Sequence, residues 1–206
     1  MTDARTTRQE RAAATGEQLL AAARGVFEER GYVATTVGAI TEAANTAHGT
    51  FYLHFRNKED AFARVMAAVA SDLDRRATVP WTADPRELLG ASVRGYLAVY
   101  SAHQKLWRCV LEGMHQSPVV ERMWLSLRRP FIDHIERILE QAREAGTLRG
   151  VDERATAHAL GAMVEWSAFC HVALGEPART DTSLDELAHT LTDLWFHAVY
   201  DGSGAD

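Results

Sequence analysis

The stretch Thr36-Val37-Gly38-Ala39-Ile40-Thr41-Glu42-Ala43-Ala44-Asn45-Thr46-Ala47-His48-Gly49-Thr50-Phe51-Tyr52-Leu53-His54-Phe55 decides the fold of this chain. Thr36 is suited to an N-cap, because its hydroxyl can accept a backbone N–H of the first helical turn. Val37, Ile40 and Ala44 recur at the spacing of one helix face. Asn45 enters the left-handed region more easily than most residues, so a turn is expected there. Ala47 to Tyr52 then reads as a very short second helix. Two short helices about a tight turn have the dimensions of a helix-turn-helix. Small residues at the start of the second (Ala47, Gly49, Thr50) would let its backbone approach a major groove closely. His48 and Thr50 carry groups that hydrogen-bond base edges or phosphates.

Outward from this stretch the same period continues. A first helix is expected from Glu17 to Arg30, with Leu19, Ala23, Val26 and Phe27 on its inner face and Gly31 ending it. Phe51 and Phe55, four apart, would pin the second short helix to that first one. Tyr52 and His54 then point the other way, within reach of phosphate oxygens. Asn57 caps the next helix, and Lys58 lies where helical N–H groups already attract anions. The segment Thr78–Pro85, with two prolines, reads as a linker. Helix starts follow at Asp84-Pro85, Ser117-Pro118, Asp152 and the capping box Ser183–Glu186. Gly146, the pair Gly175 and Pro177, and Gly202 are stops, so Asp152–Leu174 is expected as one helix. Pro130 falls inside the long helix that begins at Pro118. The expected architecture is all-α with about nine helices. Residues 1–62 form a three-helix head with an N-terminal arm, and residues 63–206 a helical second domain.

Composition narrows the function. The chain has 206 residues, 47% hydrophobic and 24% charged, with a net charge of −6. No run of 18 apolar residues would span a bilayer, so no membrane partner is expected. Cys109 and Cys170 show no metal-ligand spacing, and a reduced, cytoplasmic protein without metal or cofactor is the expectation. Charge is distributed unevenly. Between Glu42 and Glu59 there is no carboxylate, whereas His48, His54, Arg56 and Lys58 fall in that window. Arg5, Arg8 and Arg11 add charge to an arm read as disordered and solvated. Such a patch can face phosphates on an otherwise acidic protein. Gly-rich phosphate loops, nucleophile elbows and zinc-binding HExxH motifs are absent from the sequence, which argues against an enzyme.

Phe27-Glu28-Glu29-Arg30-Gly31-Tyr32, Thr35-Thr36-Val37, Gly49-Thr50-Phe51-Tyr52-Leu53-His54-Phe55 and Asn57-Lys58-Glu59 stand in fixed order. With these residues, 17–66 resemble the DNA-binding domain of the TetR family. The resemblance implies base and phosphate contacts at Thr36, Ala47, His48, Gly49, Thr50, Tyr52, His54 and Lys58. Asn45-Thr46-Ala47 replaces the family's usual Gly-Val-Ser, so a serine cap is missing, with Thr46 a partial substitute. Thr41 stands where alanine is usual.

The resemblance also implies a homodimer through the last two helices, binding a double-stranded DNA operator and released by a small-molecule effector. Those helices are apolar on more than one side (Leu160, Met163 and Val164 on one; Leu187, Leu191, Leu194 and Trp195 on the other), and such a helix must bury both sides. For the effector, the bulky or soft residues of the middle helices are Trp107, Met114, Met123, Trp124, Leu127, Phe131, Met163, Trp166, Phe169 and Cys170. They suit either a pocket for an apolar or aromatic ligand or a solid core. Glu165 and His134 are the polar groups placed to orient such a ligand, Glu165 having an intersubunit salt bridge as its alternative use.

Overall fold

The computed structural model describes residues 3–80, 84–174 and 182–200, with side chains from Gln9 onward. Gly175, Pro177 and Gly202, the middle of the expected linker, and the side chains of Arg5 and Arg8 lie outside the described residues. Nine α-helices and no strand occur among the described residues: α1 (Asp3–Ala34), α2 (Val37–Ala43), α3 (His48–His54), α4 (Lys58–Ala77), α5 (Pro85–Ala102), α6 (Gln104–Gln116), α7 (Pro118–Glu144), α8 (Glu153–Ala168) and α9 (Leu184–Val199). The expected capping residues do their work. Asn57, Asp84, Asp152 and Ser183 each accept a first-turn N–H, and Ser183 with Glu186 closes the capping box.

Two elements differ from the sequence reading. Helix α1 reaches back to Asp3, so the backbone of the supposed arm is helical. The alanine-rich run Ala12–Ala14 favours that continuation, since alanine is the best helix former. The segment expected as one helix from Asp152 to Leu174 leaves α geometry at Ala168 and passes into a π-helical turn, Phe169–Ala173. There the Gln104 side chain donates to the Val172 carbonyl.

The backbone packs as two compact units that do not follow chain order. The first joins the residues up to Ala68 with Lys105–Trp124; the second joins Val69–Gln104 with the described residues from Leu125 onward. In the first unit, Leu19, Phe27, Tyr32, Ile40, Phe51, Phe55, Phe62 and Met66 are buried together with Leu106, Cys109 and Val110. The Phe27 and Phe62 rings lie 4.8 Å apart, and Tyr32 meets Phe62 edge-on at 5.1 Å. In the second unit α5 packs along α9, with Leu88, Leu89 and Val93 buried on one helix and Leu191, Trp195 and Val199 on the other. The end of α4 crosses α5 at Gly95, where an added Cβ would stand 1.9 Å from the Arg76 carbonyl oxygen. Ser92, one turn away, donates to the Ala77 carbonyl at 2.5 Å and so satisfies an orphan group of the α4 terminus.

Candidate nucleic-acid interface and effector region

Helices α2 and α3 are set by local chemistry. The Ala39 N–H donates to the Thr36 hydroxyl at 3.1 Å. Asn45 takes φ +49, and the Thr46 N–H closes the turn on the Thr41 carbonyl at 2.9 Å. Gln18 of α1 donates to the Ala44 carbonyl at 2.8 Å, tying the turn to the long helix. Phe51 and Phe55 are buried with rings 5.2 Å apart, which fixes the face that α3 turns inward. The face that remains outward carries Ala47, His48, Gly49 and Tyr52, with Thr50 half-buried beside them. Tyr52 is 54% exposed and its ring lies 5.5 Å from that of His48. An added Cβ on Gly49 would meet nothing within 4 Å, so this stretch of helix surface is open to close approach. The two departures in this motif have different fates. Thr41 is buried and its hydroxyl is satisfied by the Val37 and Gly38 carbonyls. Thr46 does not replace the missing serine: α3 has no side-chain cap, and the Thr46 hydroxyl is buried without a hydrogen-bond partner.

His54 and Lys58 are placed less freely than the sequence suggests. His54 is half-buried against α1, its Nδ1 3.0 Å from where a Gly16 Cβ would stand. Lys58 donates to the Tyr32 carbonyl at 2.9 Å and sits 4.3 Å above the Tyr32 ring, so its ammonium is held by the end of α1. Arg56, in the carboxylate-free window, pairs with Asp60 beyond it.

Tyr32 is also held from α6, a joint that no reading of the sequence found. Gly31 has φ +78 and bends the backbone. The next two N–H groups, of Tyr32 and Val33, both donate to Oε2 of Glu112, at 2.8 and 3.3 Å. A Cβ on Gly31 would stand 2.7 Å from that same oxygen. Gly113 lets the Tyr32 ring lie against α6, where an added Cβ would be 3.2 Å from it. Cys109 donates its thiol to the Phe27 carbonyl at 3.2 Å, and burial, then the charges of Glu112 and Glu28, pushes that thiol up to about 12. Burial and the Glu59 carboxylate, which accepts the Tyr32 hydroxyl at 3.3 Å, likewise raise the Tyr32 phenol to about 12. The only sequence signal for this joint was the positive φ expected of Gly31. Glu112 is eighty positions from Tyr32 and no local pattern links them.

The bulky residues expected around an effector are divided between the units. Trp107, Met114, Met123 and Trp124 belong to the first unit; Leu127, Phe131, Met163, Trp166, Phe169 and Cys170 to the second. Within the second unit Leu127 and Phe131 line a cavity of about 430 Å³ between α4 and α7. Phe131 is buried with its ring 4.6 Å from Tyr96. Trp166 stacks near Phe169 at 5.4 Å but is 63% exposed, so it presents itself to solvent. Glu165 is paired inside its own chain with Arg128 at 2.6 Å, both side chains largely buried. Burial lifts the Glu165 carboxyl above its ordinary range against the opposing pull of Arg128. His134 is 5% exposed and its Nε2 is buried without a hydrogen-bond partner. No cluster of three metal-ligating side chains occurs among the described residues, and no described helix is long and apolar enough to cross a membrane.

Residues 19–65 match the family described as bacterial regulatory proteins, tetR family. Residues 89–201, more than half of the chain, match the C-terminal domain of the transcriptional regulator EthR. The chain belongs to the TetR family of transcriptional regulators. TetR-family regulators bind DNA and are not enzymes, in keeping with the sequence reading. Among curated relatives, the uncharacterized HTH-type transcriptional regulator YhgD of Bacillus subtilis is 24% identical over 146 residues, 68% of this chain and 74% of that protein. The HTH-type transcriptional repressor KstR2 of Rhodococcus jostii is 40% identical over 74 residues, 30% of this chain and 36% of KstR2. Among solved structures, SmeT, the repressor of the Stenotrophomonas maltophilia multidrug efflux pump SmeDEF, superposes with a TM-score of 0.70 at 27% identity, covering 91% of each chain. SmeT is also known as a complex with triclosan.

Proposed function

We propose that this TetR-family regulator is a sequence-specific repressor of double-stranded DNA, released from its operator by a small apolar or aromatic effector. One observation carries the reading: a recognition helix pinned by Phe51 and Phe55 leaves His48, Gly49 and Tyr52 outward in a window without carboxylates. In this reading residues 1–62 are the DNA-reading head and residues 63–206 the effector and dimerisation domain. Thr36, Ala47, His48, Gly49, Thr50 and Tyr52 meet base edges and phosphates. His54 and Lys58 join them by turning from Gly16 and Tyr32 toward the phosphate backbone. Two copies pair through α8 and α9, a reading supported by the exposure of Trp166 (63%) and Leu194 (53%) on those helices. The two heads then address half-sites about one helical turn apart.

An effector lodged within the second unit, among Leu127, Phe131, Met163, Phe169 and Cys170 with Trp166 at its edge, favours the conformation in which the two heads no longer fit the operator. It acts by differential affinity for the two states. The regulator works in the cytoplasm, where its operator lies. A gel shift against the DNA upstream of its own coding sequence, run at rising salt beside a scrambled duplex, tests the first half. Specific binding that weakens steeply with salt is expected; equal binding of both duplexes overturns it.

A further inference from the structure

We propose that the cavity between the second half of α4 and the middle of α7 binds an aromatic cation. The inference rests on the effector-responsive function proposed above and specifies the chemistry of its ligand. The cavity holds about 430 Å³, within the range of small-molecule sites. Its apolar wall is Leu73, Leu127, Pro130 and Phe131, and its hydroxyls come from Ser71, Thr78 and Ser126. Asp74 is the one charged side chain among the lining residues, and it lies at the exposed edge while Leu73 and Phe131 are buried.

That distribution selects by charge. An anion would sit beside Asp74 with no lysine, arginine or histidine in the lining to compensate it. An uncharged ligand would gain nothing from the Asp74 carboxylate, which stays in water at the exposed edge. A cationic group on an aromatic body meets Asp74 with its charge and lays its ring along Phe131 and Leu127.

The neighbouring turn of α7 adds no competing charge. Leu127, Pro130, Phe131 and His134 follow one another at helical spacing on one face of α7, so His134 lies one turn beyond the lining. Its imidazole is 5% exposed with Nε2 unpartnered. Burial and the Arg137 charge push its pKa down to about 4, against the pull of Asp74. At neutral pH it therefore adds no positive charge beside the cavity. The wall supplied by α4, Ala70 to Ala77, belongs to the helix whose first residue is Lys58. Its far end is clamped on α5 at Gly95 and Ser92.

Isothermal titration of the full chain with three matched probes tests this: 2-(1-naphthyl)ethylammonium, 2-(1-naphthyl)ethanol and 3-(1-naphthyl)propanoate. The ammonium is expected to bind about threefold tighter than the alcohol, a margin of about 0.6 kcal/mol, and to outbind the propanoate by more. Asp74→Asn should remove that preference while leaving alcohol binding and the melting temperature unchanged. Leu127→Trp or Ala70→Leu, which fill the cavity, should weaken all three probes. Equal affinities in the wild type, or a preference that survives Asp74→Asn, overturns the proposal. Operator affinity with and without the ammonium is read separately by fluorescence anisotropy. Binding at Asp74 without operator release overturns the effector function and leaves the site standing. Specific operator binding with no uptake of the ammonium overturns the site alone.

Discussion

The joint between Gly31 and Glu112 supports a prediction in depth, because two residues far apart in sequence share one oxygen's worth of space. Replacing Gly31 by alanine forces a side chain into φ +78, ψ 175, a region essentially reserved for glycine, at a cost of about 1–3 kcal/mol. The new methyl would also stand 2.7 Å from Glu112 Oε2 and so evict the carboxylate that accepts the Tyr32 and Val33 N–H groups. A hydrogen bond to a charged group is worth about 1.5–3 kcal/mol, and water access to the exposed Glu112 places this one near the lower figure. Glu112→Ala alone should therefore cost about 1.5 kcal/mol, and Gly31→Ala about 2.5–4.5 kcal/mol. In the double variant the carboxylate is already gone, so the total should match Gly31→Ala alone, a coupling of about 1.5 kcal/mol. Urea denaturation of all four proteins at one fixed concentration, followed by far-ultraviolet circular dichroism, measures it. Additivity within about 0.5 kcal/mol would refute the reasoning.

Three further predictions concern other parts of the molecule. Gly95→Ala should destabilise by about 3 kcal/mol or abolish folding, since the obstructing atom is the Arg76 backbone oxygen and cannot rotate away; a melting temperature within a degree of wild type would contradict the crossing. His48→Ala and Tyr52→Ala should each weaken specific operator binding by about 1–3 kcal/mol in anisotropy titrations while leaving urea stability within about 0.5 kcal/mol, because both side chains are exposed; unchanged binding would remove them from the interface. For His134 the folded pKa lies below its ordinary 6.5, so the unfolded chain binds more protons between 6.5 and about 4. Stability is therefore fully present above 6.5 and declines as pH falls toward about 4, and His134→Gln should flatten that slope in denaturation curves taken from pH 7 to pH 4.5.

Much of the head was legible from local rules. The Thr36 cap, the left-handed Asn45, the stop at Gly31 and the inward pair Phe51 and Phe55 each follow from residue type and a spacing of a few positions. The caps at Asp84, Asp152 and Ser183 follow for the same reason. Helix propensity and capping act over one or two turns, and a linear pattern records them.

Tertiary structure decided where longer contacts compete. Lys58 reads as a phosphate ligand from its position at a helix start, yet the Tyr32 carbonyl and ring claim it. Glu165 reads as an orienting group or an intersubunit partner, and Arg128 of the same chain takes it. Trp166 shares a stripe with Met163 and Cys170 on paper but lies mainly in solvent. Thr46 resembles a substitute cap, but burial leaves its hydroxyl unpartnered. The chain by itself therefore determined the helix caps and which face of α3 turns outward, because both depend on periodicity and backbone conformation. Only the folded molecule decided which polar groups are spent on internal contacts and where a cavity opens, because charges and volumes are matched across eighty residues by packing rather than by any repeating pattern.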